Sequence, residues 1–157
     1  MKADRQKLTY GHAVGIGILL CLPVAAQPVS PEGLWDIDGK ATVQIYRCGE
    51  FFCGRLRGVT PDNPNEPRPY TDTGNPDPAM RHRRLCGLTI MGGLRQAGLD
   101  QWDDGWFYNP DDGKAYSMSA HLTAPDVLVA RFYLGLQLLG ESKTGHRLPK
   151  GVIKGSC

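Results

Sequence analysis

Apolar and polar residues alternate along much of this chain, and turn residues interrupt the alternation at short intervals. The pattern is clearest from Trp102 to Arg147, where Asn109-Pro110-Asp111-Asp112-Gly113 and Thr123-Ala124-Pro125-Asp126 cut the runs. Such punctuation predicts a β-meander rather than helices. Between Lys114 and Leu122, Tyr116, Met118, Ala120 and Leu122 share one face, and Ser117, Ser119 and His121 share the other. Val127 to Gly135 sets Leu128, Ala130, Phe132 and Leu134 against Val127, Val129 and Tyr133. A strand apolar on both faces is expected to be buried on both. Leu136 to Gly140 predicts a bulge or tight bend, and Ser142 to Leu148 a closing strand.

The same reading extends upstream. Glu32 to Asp38 predicts a first strand, followed by a tight Asp38-Gly39 turn. Ala41 to Cys48 places Val43 and Ile45 on one face, with Thr42, Gln44, Tyr46 and Cys48 on the other. Cys53 to Val59 places Leu56 opposite in face to Cys53, Arg55 and Arg57. With Gly49 to Phe52 as a four-residue loop, these form a hairpin in which Cys48 faces Cys53 and Ile45 faces Leu56. Thr60 to Met80 is dense in Pro, Asn and Asp and predicts a long ordered loop. Cys86 to Leu94 predicts a bent strand or a short helix, between which periodicity does not arbitrate. Gln96 to Asp100 reads as a turn. The expected fold is all-β: a small antiparallel up-and-down barrel of about eight strands, whose closure removes the exposed edges of the meander.

Residues 1–26 stand apart from this pattern. Lys2, Arg5 and Lys7 precede an apolar run from Ala13 to Val24, and Val24-Ala25-Ala26 supplies small residues for cleavage. This predicts a secretory signal peptide. The run is short for a bilayer span, and Leu20 before Cys21 does not suit lipidation. The expected organisation is a leader over 1–26, a barrel over 27–148 and a loose tail over 149–157, unless Cys157 fastens the tail. Without the leader, 15 of the 18 Lys and Arg remain against 15 of the 16 Asp and Glu. That neutral balance excludes a typical nucleic-acid binder. Four cysteines remain, Cys48, Cys53, Cys86 and Cys157, and in an exported chain an even count favours disulfides. The hairpin favours Cys48–Cys53, leaving Cys86 and Cys157 for each other or free.

Candidate chemistry concentrates in the long loop. Asp72, Asn75, Asp77, Arg81 and Arg83 suit either of two roles: a recognition loop whose arginines clamp an anion, or a loop that structures itself through Asx turns and arginine–carbonyl bonds. The second is the expectation favoured by the Pro-flanked Asn and Asp. Asp111-Asp112-Gly113 is hairpin chemistry before it is a metal loop, and His82 with Cys86 is half a zinc site without a second half. No metal or cofactor is expected, and no nucleophile–base motif is present.

Taken in order, Cys48-Gly49, Cys53-Gly54, the run from Asp72 to Arg83, Cys86-Gly87-Leu88, the run from Tyr108 to Tyr116, Gly135 and His146-Arg147 resemble the bacterial DUF2147 family from about Pro31 to Arg147. The resemblance implies an exported, lipocalin-like β-barrel and no particular reaction. The family tends to carry Trp before the closing Arg, where this chain has His146. Gly33-x-Trp35 near the start, with Arg147 near the end, also looks like the calycin signature, in which the arginine packs over the tryptophan at the closed end of the barrel. The function expected is non-catalytic binding of a small apolar or amphipathic ligand in the cell envelope, in the periplasm of a Gram-negative bacterium or secreted. Asp72, Asn75, Arg81, Arg83, Tyr108, Tyr116 and Phe132 are the binding candidates, with Val43, Ile45, Leu56, Met118 and Leu128 also facing the interior. The alternative is an interaction or envelope-structural module contacting a protein partner through the loop over 60–85. A hydrolase or isomerase using Asp72 with Arg81 ranks last.

Overall fold

The alternating runs all become strands. The computed structural model describes residues 29–63, 65 and 70–157; the signal peptide expected over 1–26 lies outside them. Eight strands follow one another: β1 (Gly33–Ile37), β2 (Ala41–Cys48), β3 (Phe51–Val59), β4 (Thr89–Gln96), β5 (Gln101–Asn109), β6 (Lys114–Ala124), β7 (Val127–Tyr133) and β8 (Glu141–Leu148). Each pairs antiparallel with the next, and β8 returns to β1 to close the barrel, with Trp35 opposite Arg147. The fold is therefore the closed eight-stranded up-and-down barrel that the pattern predicts.

The turns explain much of the register. Asp38 (φ 48°) and Gly39 (φ 72°) are the central residues of the turn between β1 and β2, closed by Lys40 N donating to the Ile37 carbonyl at 2.9 Å, and they form the positive-φ pair that matches strand twist. Gly49, at φ 70°, does the same between β2 and β3, so that connection is two residues long rather than four. This corrects the predicted pairing. Cys48 opposes Phe51, Cys53 opposes Tyr46, Ile45 opposes Gly54, and Leu56 opposes Val43. The two cysteines lie diagonally on the outer face, with Cα atoms 5.9 Å apart, within disulfide reach, and they are bonded.

Cys86 and Cys157 form a second disulfide. It meets the condition on which the tail would be held. Val59 and Ser156 exchange backbone hydrogen bonds, Thr42 Oγ1 donates to the Lys154 carbonyl at 2.8 Å, and Lys154 Nζ donates to Asp36 Oδ2 at 2.6 Å. The tail is a strap over the outside of β2 and β3 and not a loose appendage. Thr42, on a face read as polar, is buried for this reason. Constraining a loop of 71 residues is worth roughly 4 kcal/mol in the chain-entropy model.

One further expectation changes, and two left open are decided. β7 is not buried on both sides: Leu128 and Ala130 are buried, while Val127, Val129 and Tyr133 are half-buried and Leu134 is exposed. A barrel strand has one inner face, and no second layer covers the other. The connection after β7 holds a 3-10 turn, Gln137–Leu139, so it is a tight bend and not a bulge. Between Cys86 and Leu94, the bent strand is the form taken. Gly92 lies against the Trp106 indole, which a Cβ would meet at 3.0–3.1 Å.

The inward faces form one core that includes Trp35, Val43, Ile45, Phe52, Leu94 and Trp102. Phe52 and Trp102 meet edge to face at 6.2 Å. Two interior glycines make room for large neighbours: a Cβ on Gly54 would lie 2.4 Å from Met91, and one on Gly105 would lie 2.7 Å from Leu94. Side chains thus occupy the deep part of the barrel.

One end is closed by a single arginine. Arg147 stacks over the Trp35 ring at 4.2 Å and donates to the backbone carbonyls of Ser30, Glu32 and Pro125. Trp35 Nε1 donates to the Pro31 carbonyl at 2.8 Å. Burial draws the Arg147 pKa below its ordinary value, Asp126 opposes that shift, and a guanidinium stays charged throughout. Trp35→Ala is expected to cost about 3–5 kcal/mol in urea unfolding, and Arg147→Ala about 2 kcal/mol, whereas an arginine merely on the surface would cost almost nothing. Peptide mapping of the unreduced protein is expected to recover Cys48 joined to Cys53 and Cys86 joined to Cys157; a Cys53–Cys86 peptide would contradict both pairings.

Candidate functional site

In an up-and-down barrel the connections alternate between ends. The β1–β2, β3–β4, β5–β6 and β7–β8 connections therefore surround the end opposite Arg147, the mouth end. The longest of these, between β3 and β4, is the Pro- and Asn-rich loop, and its described part is firmly ordered. Tyr70 to Asp72 lies antiparallel to Arg83 to Leu85, with Asp72 N donating to the Arg83 carbonyl at 3.0 Å and Leu85 N to the Tyr70 carbonyl at 3.0 Å. This flap sits on the β5–β6 turn so closely that a Cβ on Gly113 would lie 2.0 Å from the Gly74 carbonyl oxygen.

Asp72 bolts the flap to the barrel. It is completely buried. Tyr108 Oη on β5 donates to Oδ1 at 2.7 Å, while Asn75 Nδ2 and Arg83 Nε each donate to Oδ2 at 2.8 Å. Burial by itself would raise the Asp72 pKa, but the bonds from Tyr108, Asn75 and Arg83, together with the Arg83 charge, hold it below the usual carboxylate range. Burial and the adjacent carboxylate push the Tyr108 hydroxyl up, so it remains a donor. Arg81 Nε donates to the Asn75 carbonyl at 2.8 Å, and Asp77 caps the 3-10 turn Pro78–Met80 by accepting from Ala79 N. The self-structuring expectation holds at Asn75, whose Oδ1 accepts from Asp77 N, and at Arg81, but Asp72 makes no Asx turn and instead ties the loop to β5. Four of the predicted residues, Asp72, Asn75, Arg83 and Tyr108, meet in one network, with Arg81 at its edge.

Tyr116 and Phe132 lie elsewhere, at the mouth. Tyr116 donates to Asp112 of the β5–β6 turn, which pushes its hydroxyl pKa up. Phe132 stacks on Phe107 with ring centroids 4.3 Å apart. Like this pair, Ile37, Ala41, Val59, Leu85 and Leu88 are only partly buried against the core, and all lie in or beside the strand ends on this side of the barrel. Val43, Ile45, Leu56, Met118 and Leu128 are instead buried core. Phe107 was not legible as an inward residue. A bulge between Trp102 and Gly105, with Asp104 at φ 62°, shifts the alternation of β5. The matched end of β6, where Tyr116 opposes Phe107, is the signal that would have found it.

His82, His121 and His146 are exposed, and His146 opposes Asp36 at the β1–β8 seam. Both Asp72 oxygens are occupied by the donors named above, so its chemistry in this arrangement is anchoring. Among the described residues, no group of three or more His, Cys, Asp or Glu side chains is placed to hold a metal ion.

The family model described as "Uncharacterized protein conserved in bacteria (DUF2147)" matches residues 33–147. No curated protein sequence matches the chain. Among solved structures, the barrel is similar to Protein HP1028 from the human pathogen Helicobacter pylori, which its title assigns to the lipocalin family. The two share 21% identity, with a TM-score of 0.68, over 78% of this chain and 85% of that one. At this identity the likeness concerns the fold.

The Asp72 bolt carries a signed pH dependence. Because its folded pKa is depressed, its contribution is complete above the ordinary value of about 4 and is lost as pH falls through the lower folded value. Asp72→Ala is expected to cost about 3 kcal/mol at neutral pH. Stability followed by urea unfolding from pH 7 down to pH ~2.5 is expected to fall less steeply below pH ~4 in that variant than in the parent.

Proposed function

We propose, for a chain that belongs to the DUF2147 family of bacterial proteins, non-catalytic binding of a small apolar or amphipathic molecule at a shallow barrel mouth, outside the cytoplasm. The observation that carries this reading is the stacked, half-buried Phe107–Phe132 pair, with other apolar residues at the same end of the barrel only partly buried. Binding sites are typically apolar with a few placed polar groups. Here the Tyr116–Asp112 pair stands at the rim and would orient a polar head. A deep calyx does not suit this barrel, since Phe52, Leu94 and Trp102 are buried in its closed half. The disulfides and the bacterial family support a location outside the cytoplasm, and a periplasmic or secreted protein released from a leader fits them.

The partner-binding alternative relied on the arginines of the long loop. Arg83 is committed to Asp72, and Arg81 Nε to the Asn75 carbonyl, which leaves that reading less to work with.

A fluorescent long-chain fatty acid tests the proposal. Phe132→Gln is expected to weaken its binding about tenfold while leaving the fold intact by circular dichroism. Equal affinity in parent and variant, or no binding by the parent, would remove the mouth as the site.

A further inference from the structure

The β7–β8 connection is unusual for a loop beside the mouth. It reads Leu134-Gly135-Leu136-Gln137-Leu138-Leu139-Gly140, and its four leucines are 64%, 69%, 86% and 80% exposed in chain order. A soluble connection needs no leucine there, and contiguous exposed apolar surface marks an interaction site.

The loop is also braced so that its tip can leave water. The Leu136 carbonyl accepts from Leu139 N at 3.1 Å, and the Gln137 carbonyl from Gly140 N at 3.1 Å. Arg131 reaches in from β7, its Nε donating to the Gln137 carbonyl at 2.7 Å and its Nη2 to the Leu138 carbonyl at 2.8 Å. The Gln137 side chain is turned back onto Ser119 Oγ at 2.7 Å. The carbonyls from Leu136 to Leu138 are therefore all bonded within the protein. In hydrocarbon an unbonded backbone carbonyl costs several kcal/mol, so these bonds lower the cost of seating the tip at the bilayer boundary.

What lies behind the tip fits the same medium. Trp106 opposes Ser117, and Ser117 opposes Tyr133, so one row across β5, β6 and β7 places two aromatic residues on the outer wall beside Leu134. Trp106 is exposed and Tyr133 half-buried. Trp and Tyr favour the headgroup level of a bilayer. The nearby charges balance: Lys143 pairs with Glu141 and lies close to Asp38, and Arg131 supplies the second cation. Protein interfaces draw their binding energy from Trp, Tyr and Arg, and leucine is under-represented among such hot spots. A narrow leucine tip therefore fits a deformable apolar phase better than a folded partner.

We infer that the β7–β8 loop seats the barrel mouth on a lipid bilayer, with its leucines entering the headgroup–acyl boundary, and that the molecule bound at the mouth is an acyl chain drawn from that bilayer. The second half rests on the mouth reading above; the first does not. Because local charge is balanced, attachment is apolar and gains little from anionic lipid.

Vesicle co-sedimentation tests it, with protein purified in the form its cells accumulate. The parent is expected to partition similarly onto phosphatidylcholine vesicles with and without phosphatidylglycerol. Leu136→Ser combined with Leu138→Ser and Leu139→Ser is expected to lower that partition about a hundredfold, with an unchanged circular dichroism melt, since these side chains are exposed. Equal partition of parent and variant, no partition by the parent, or a lipid-free dimer that the serines dissolve would each overturn the membrane assignment. Fluorescent fatty-acid binding in vesicle-free buffer separates the two readings. If the serine variant binds the probe like the parent but the vesicle arm fails, the loop proposal falls alone. If the Phe132→Gln variant keeps its vesicle partition while neither protein binds the probe, only the acyl-ligand half falls.

Discussion

Closing a sheet into a barrel requires its last strand to find its first across almost the whole length of the chain, and here one cation holds that seam. Arg147 lies over the Trp35 ring and bonds three carbonyls, two from the segment that enters β1 and one from the β6–β7 turn. An indole face attracts a guanidinium, and five N–H donors in a fixed fork serve several acceptors at once, which a lysine would not do. The closed end depends on this contact, and the mouth takes its place at the opposite end by topology alone.

The remaining fastenings divide along the same axis. The outside wall is strapped by the tail, through Cys86–Cys157 and the Lys154–Asp36 pair. The mouth is partly roofed by a flap bolted through Asp72. A buried carboxylate is expensive unless its lone pairs are filled, and four donor bonds from Tyr108, Asn75 and Arg83 meet that requirement. Stability is thus concentrated at the floor, the strap and the flap. The rest of the mouth end carries instead apolar side chains that folding leaves partly uncovered: Phe132, Phe107 and the leucine loop.

Much of this was legible along the chain. Most of the strands, the Asp38-Gly39 reversal, the Trp35–Arg147 pairing and the Cys48–Cys53 bond arise from local alternation, turn chemistry or first-and-last placement; β4, whose glycine-broken run suited a strand or a short helix, does not. The Asx turn at Asn75, whose Oδ1 accepts from Asp77 N, was legible for the same reason, since short polar side chains bond nearby backbone; the expected turn at Asp72 is replaced by its long-range bonds to Tyr108 and Arg83. The β2–β3 register was not. Whether Gly49 closes a two-residue or a four-residue loop is settled by strand twist, and the composition is compatible with either.

The sequence by itself determined the fold class, the approximate strands and the barrel's closing pair, because each is carried by periodicity or by a residue type with one dominant use. Tertiary structure alone decided which apolar residues fill the floor and which line the mouth. Tyr116 and Met118 share a face in the sequence, yet one stands at the rim and the other in the core, because depth along a barrel strand is set by the neighbouring strands. It also decided that the bulge in β5 turns Phe107 toward Phe132, and that Tyr108 and Arg83, 25 positions apart in the chain, share one buried carboxylate. Contacts of that range depend on which strands become neighbours when the barrel closes, and no local pattern encodes that.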